Sequence, residues 1–198
     1  MRTPTDRNAS YCAYMNDMQA PEPEGRNTVN GFVITDHAAD LIEFLQHVFD
    51  AVEDPEARAP DYAAGDGSLI HAEVRIGNSL LMVADRKADW PFTPAFTQVY
   101  VSDPVAVLTR ASERGATVIT DVSPFYGGYD IARFRDPWQN LWWLFAPAKA
   151  GHLAENWDEG DGDWENAEPN PVYTTLVEAM RTLTDPRGAD LGLHLPKI

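Results

Sequence analysis

The feature that most constrains this chain is an echo of itself. The stretch DPWQNLWWLFA, Asp136 to Ala146, has a worn counterpart in IGNSLLMVA, Ile76 to Ala84, and Asn78 to Ala84 align on Asn140 to Ala146 at an offset of 140 − 78 = 62. Upstream, GFVITD (Gly31 to Asp36) matches QVYVSD (Gln98 to Asp103) at 98 − 31 = 67, and a helical pattern follows each. Two echoes in the same order at similar offsets describe a duplicated module. A duplication restricts the fold to arrangements in which two like units share one core.

Each unit reads β-α-β-β-β. In the first, Val29 to Thr35 forms a strand, Asp36 is placed as N-cap, and Leu41, Phe44, Leu45, Val48 and Phe49 fall on one helical face. A short strand near Ala51 to Arg58 follows, then strands Leu69 to Ile76 and Leu80 to Ala84 about a Gly77-Asn78 hairpin turn. The second unit repeats this with strand Thr97 to Ser102, helix Pro104 to Arg114 closed by Gly115, and strands Thr117 to Asp121, Tyr129 to Arg135 and Asn140 to Phe145. The divisions expected are an arm over 1–26, a paired domain over 27–147 with modules about 27–85 and 96–147, and an acidic linker with a helix over 148–198. In that last helix Asn170 caps, Pro171 begins, and Tyr173, Leu176, Val177, Met180 and Leu183 make an apolar stripe. The stripe predicts docking on the core or on a second subunit.

Composition bounds the function. The longest apolar stretch, LWWLFAPA, is far short of the roughly 20 residues that span a bilayer, and MRTPTDRNASY carries no apolar signal core. Cys12 is the sole cysteine, which excludes an internal disulfide and a thiolate metal cluster. These features lead us to expect a cytoplasmic protein, outside the membrane. A formal charge of −16 with only three lysines excludes nucleic acid and anionic membrane as partners, since both demand basic surface. Much of that charge is local: Ala150 to Met180 holds eight acids and no lysine or arginine.

Two such modules, the loop FYGGYDIARFRDP and a last strand opened by DP-x-x-N-x-x-W resemble the vicinal oxygen chelate superfamily of glyoxalases, bleomycin-resistance proteins and extradiol dioxygenases. HAEVRIGNSLLMVAD (His71 to Asp85), LIEF (Leu41 to Phe44) after Asp36, and FYGG (Phe125 to Gly128) look like its PhnB-like branch, and the likeness runs from about Asn27 to Pro147. The resemblance implies an α+β fold in which tandem βαβββ modules curl a mixed sheet into a cup, helices outside and ligand in the cleft, with a C-terminal helix added. It also implies metal ligands from the start of each module's first strand and from an acid in each last strand. Those places here hold Val29, Phe96 (or its neighbour Thr97), Leu81 and Trp143, none of which offers imidazole, carboxylate or thiolate. No metal and no cofactor is therefore expected. Gln139 stands where the pattern has glycine, and Tyr129 where PhnB-like members often have arginine.

Within such a cup, Ala72, Val74 and Ile76 should meet the helices while His71, Glu73 and Arg75 line the cleft. His71 then suits a general base or ligand anchor, Glu73 can orient it, and Arg75 can bind an anionic group. A ladder of structural ion pairs explains the same residues. Adjacent on a strand, Trp142 and Trp143 must face opposite ways, and the repeat sends Trp143 to the cleft with Leu81 and Phe96. Gln98 and Tyr100 alternate with Phe96, and Tyr126 and Tyr129 sit on a glycine loop able to close over a ligand or simply to turn. Core filling is the competing account of the aromatics. Arg133 and Arg135 read as partners of Asp136. Glu43 and His47, one helical turn apart, read as a surface pair, and Asp158, Asp161 and Asp163 as a solvated linker that misses the calcium-loop pattern.

The function expected is binding of an apolar or cationic small molecule in an aromatic cleft, by a homodimer. The alternatives are an enzyme on the same fold and an interaction module using the C-terminal helix. The enzyme would work either by metal-free acid–base chemistry at His71 and Glu73 or as a lyase, isomerase or dioxygenase with unusual metal ligands.

Overall fold

The computed structural model describes residues 26–148 and 170–188, and in it the strand-helix rhythm of the repeat is realised twice. The first unit runs β1 (Gly31–Thr35), α1 (Ala38–Phe49), β2 (Val52–Pro60), β3 (Leu69–Ile76) and β4 (Ser79–Asp85). The second runs β5 (Phe96–Tyr100), α2 (Pro104–Glu113), β6 (Thr117–Phe125), β7 (Tyr129–Arg135) and β8 (Leu141–Pro147), and α3 (Pro171–Arg181) follows. Each unit forms its own four-stranded mixed sheet, ordered β1-β4-β3-β2 and β5-β8-β7-β6, so the strands do not close into a barrel. In both, the first strand lies parallel to the last and the remaining pairs are antiparallel. Pro55 and Pro60 in β2 and Pro124 in β6 are tolerated because both strands are edges, where a missing N–H breaks no inner ladder.

The two units are held together by large side chains from both. On α1 the residues Leu41, Phe44, Leu45 and Val48 are buried as their spacing predicts. Phe44 meets Phe134 at 6.0 Å and Trp138 at 5.8 Å between ring centroids, and Phe49 meets Trp142 at 5.3 Å. Trp142 and Phe134 are fully buried and stack on each other. Burying each such ring is worth about 1.5–3 kcal/mol, so the interface between the units is a true core.

Some local expectations are corrected. His37, in the left-handed region at φ 54, and not Asp36, is the cap residue of α1, and its side chain makes no capping bond. The donor it leaves is served from β4, where Asp85 Oδ1 accepts the Ala38 N–H at 2.9 Å. Asp36 instead accepts from Arg86 Nη2 at 2.9 Å and from Arg187 Nε at 2.6 Å. Nor do Arg133 and Arg135 pair with Asp136. That carboxylate organises the β7–β8 turn, accepting at 2.9 Å from the Trp138 and Asn140 backbone N–H groups, Asn140 Nδ2 and Trp142 Nε1. Its burial pushes it up to about 6 despite these four donors, which favour the charged form. Gln139 in the same turn sits at φ 73, the left-handed conformation that glycine adopts without strain.

The C-terminal segment straps both units. Asn170 caps α3, its side chain accepting the Val172 N–H at 2.8 Å. The helix lies beside β6, with Arg133 Nη1 donating to the Val172 carbonyl at 2.6 Å and the Thr120 and Thr175 hydroxyls 2.7 Å apart. Its docked residues are Val172 and Ala179, while Tyr173 and Met180 of the expected stripe remain exposed. At the far end Arg86 bonds Asp185 Oδ1 at 2.6 Å, and Arg187 donates to the carbonyls of Lys87, at 2.8 Å, and Arg86. Cys12, the Pro21-Glu22-Pro23-Glu24-Gly25 run and Asp158, Asp161 and Asp163 lie outside the described residues.

Candidate functional site

Each sheet turns one face to α1 and α2 and the other away from them, and ladder partners identify which residues share a face. In the first sheet Met82 pairs with Phe32 of β1 and Glu73 of β3. In the second, Trp143 pairs with Gln98 of β5 and Arg133 of β7. These rungs are equivalent, so the counterpart of Trp143 is Met82, at an offset of 143 − 82 = 61, and not Leu81. Leu81 pairs with Val74 and Gly31 on the helix side, where it joins the core and floors a groove. Its placement in the cleft is corrected for a simple reason: a strand has period two, so aligning the repeat one residue out inverts the face.

On the first sheet the expected polar set is present, with a partner the sequence did not suggest. Glu73 is buried, its Oε2 in an ion pair with Arg26 and its Oε1 3.2 Å from His71 Nε2. The Arg26 guanidinium first, and His71 after it, hold Glu73 below the usual carboxylate range against the opposing effect of burial. The His71 ring meets Phe32 edge-on at 6.2 Å. Arg75 is exposed and shares its rung with Leu80 and Val52.

The second sheet carries rings. Phe145 lies 5.9 Å from Tyr100, 6.3 Å from Tyr129 and 5.7 Å from Phe125, and Tyr100 and Tyr129 are 6.0 Å apart. Tyr100 is 67% exposed and Phe96 51%, so this platform is accessible. Gln98 and Trp143 continue the face, and the Arg133 guanidinium carbon sits 4.3 Å from the Trp143 ring centroid. Gly127 and Gly128, at φ 73 and 78, make the tight turn before β7; the Tyr126 side chain lies outside the described structure. Phe96, Gln98 and Tyr100 also line a groove of about 730 Å³ between β5 and the β1–β4 edge. Thus Phe96, Gln98, Tyr100, Tyr129 and Trp143 come together on the second unit, whereas His71, Glu73 and Arg75 gather on the first.

A second cavity, about 800 Å³, opens between the strap and the start of α1, lined by Asp36, Asp61, Asp85, Arg86, Lys87 and Arg187. Its charges answer one another: Lys87 pairs with Asp61, and Arg86 with Asp36 and Asp185. His47 pairs across the helices with Glu113 at 3.3 Å, so its partner is not Glu43. Among the described residues no three of His, Cys, Asp and Glu are grouped to hold a metal ion. With Met82 in the place of Leu81, the positions that the resemblance assigns to metal ligands present hydrocarbon, a thioether and an indole. That donor set does not fit a hard divalent ion.

Arg26, Arg133 and Phe145 are site residues that sequence reasoning missed. Alternation along β7 from Tyr129 puts Ile131, Arg133 and Arg135 on the same face, and that signal was available.

No family model matches the chain. It is 31% identical over 134 residues to an uncharacterised protein of Mycobacterium bovis, covering 62% of this chain and 85% of that one. A Mycobacterium tuberculosis protein, also uncharacterised, matches equally over 76% of its length. Among solved structures, protein PA1353 from Pseudomonas aeruginosa superposes with a TM-score of 0.51 at 15% identity, over 61% of this chain and 98% of that one. A PhnB protein from Bacillus cereus gives a TM-score of 0.49 at 16% identity, covering 61% and 99% respectively. The likeness to PA1353 is one of fold.

Proposed function

The chain belongs to one family with the mycobacterial proteins, and from that footing we propose that it is a member of the vicinal oxygen chelate superfamily that binds a small, flat, apolar molecule on the second sheet. The observation that carries this reading is the platform of Tyr100, Phe125, Tyr129 and Phe145, in which the two tyrosines are exposed and the two phenylalanines half-buried. Rings left open to water cost free energy unless something covers them, and offset or edge-on ring stacking rewards a flat ligand. A cationic ligand is less well served, because the face of Trp143 already holds the Arg133 guanidinium. In this reading the modules span about 27–85 and 96–147, and the protein is a cytoplasmic homodimer, for which native mass is the check.

Thermal-shift screening of aromatic compounds tests the proposal. Hits should stabilise the protein, and Tyr100→Ala should weaken them while His71→Ala leaves them intact. Stabilisation that ignores Tyr100→Ala but vanishes with His71→Ala would move the site to the first sheet.

That outcome would favour a second reading, acid–base catalysis at His71, which the 3.2 Å contact with Glu73 supports. Against it, Glu73 is already engaged by Arg26, as in a structural ion pair.

A further inference from the structure

Arg133 is 3% exposed, and no carboxylate of the described residues lies within ion-pair distance of it. Its Nη1 is spent on neutral acceptors, the Thr120 hydroxyl at 3.2 Å and the Val172 carbonyl at 2.6 Å. Its Nε has no hydrogen-bond partner, and neither has Nε1 of Trp143, although both atoms are buried. A buried cation without a counter-charge is costly, and so is each buried N–H without an acceptor. Burial alone pulls the guanidinium below its ordinary range. The deficits coincide: Arg133 and Trp143 are directly opposite on neighbouring strands, with the guanidinium over the indole.

A neutral acceptor would satisfy the two N–H groups and leave the charge. An oxyanion satisfies all three at once. We infer that Arg133 and Trp143 form a subsite for the carboxylate of an aromatic acid whose ring lies on the Tyr100–Tyr129–Phe145 platform. This inference rests on the platform reading of the preceding subsection. Phe145 stands two residues beyond Trp143 on the same face of β8, about 7 Å along the strand, which is the reach of an arenecarboxylate. Trp143 is only half-buried, so the pair borders accessible surface, and the free donors are not those that tie α3 to the sheet.

The test compares 2-naphthoate with its uncharged isostere 2-naphthamide by calorimetry at pH 7. The acid should bind wild-type protein at least about tenfold tighter, the scale of one charge-assisted hydrogen bond. In Arg133→Gln that acid-to-amide ratio should fall to about one. Should Arg133→Gln fail to fold, Trp143→Phe serves instead: it keeps a ring beneath the guanidinium, removes only the N–H, and should reduce the ratio severalfold. Equal binding of acid and amide to wild type, or a ratio that survives these substitutions, overturns the subsite while leaving the platform standing. Failure of both compounds to bind overturns the platform and the subsite together.

Discussion

The two units carry the same rung with opposite contents. On the first sheet it reads Phe32, Met82, Glu73, and on the second Gln98, Trp143, Arg133. Glu73 is answered by Arg26 and His71, whereas Arg133 has no acid and rests on an indole. Duplication placed equivalent backbone in both halves, and substitution then closed one face with ion pairs while leaving unspent charge and rings on the other. A satisfied buried acid stabilises, and an unsatisfied buried cation next to an aromatic surface reads as reserved for something else.

The sharpest way to break this comparison is to exchange the faces. Trp142→Ala should cost about 3–5 kcal/mol in urea unfolding, and Leu81→Ala about 2–5, because both side chains fill the shared core. Trp143→Ala and Met82→Ala, on the opposite faces, should cost clearly less. Equal losses for Trp142 and Trp143 would mean that the faces are wrongly assigned.

A second difference lies in the turns. Asp136 has no counterpart in the Gly77-Asn78 turn, and burial raises it from 3.8 to about 6. Between those values the folded protein holds a proton that the unfolded chain has lost, so the contribution of Asp136 to stability is full below about pH 4 and is lost as the pH rises to about 6. The loss is at most about 3 kcal/mol for that single group. Unfolding midpoints measured from pH 4 to 7 should show the decline in wild type and not in Asp136→Asn. A flat wild-type profile would show that the four N–H donors offset burial.

Glu73→Gln should cost about 1–2 kcal/mol, discounted because Arg26 is one-third exposed, and the cost should shrink in high salt. If it were neutral, the first face would be no more closed than the second. The smallest effect expected is at Gln139: Gln139→Gly should raise stability by up to about 1 kcal/mol by relieving the left-handed backbone, read as a shift in thermal midpoint. No gain would indicate that the Asp136 bonds already hold that conformation without strain.

The strands and helices were legible because each element announces itself through period and turn chemistry: Leu41, Phe44, Leu45 and Val48 at helical spacing, and Gly77-Asn78 between two strands. The faces were less so. Matching Asn78 to Asn140 aligned the turns by residue type, but the second connection holds one residue more between equivalent rungs (82 − 73 = 9 against 143 − 133 = 10), and a single step exchanges inside for outside. Arg26 and Glu73 meet across 47 positions of chain (73 − 26 = 47), a contact that no local pattern encodes. Hydropathy did not give the seat of α3 on β6 either, because the helix docks there by its small residues, Val172 and Ala179, and leaves Tyr173 outside. Arg133 was open to discovery through alternation on β7, yet its lack of an acid is visible only in three dimensions.

The strap sets an order of completion. Both sheets have all their strands once the ribosome has released Pro147, but Arg86 then has Asp36 as its carboxylate and Arg133 lacks the Val172 carbonyl. Only when residues 170–188 emerge do Asp185 and Arg187 close the Arg86 cluster and α3 settle beside β6. A nascent chain arrested before that point would therefore carry Arg86 without Asp185 and β6 without its helix.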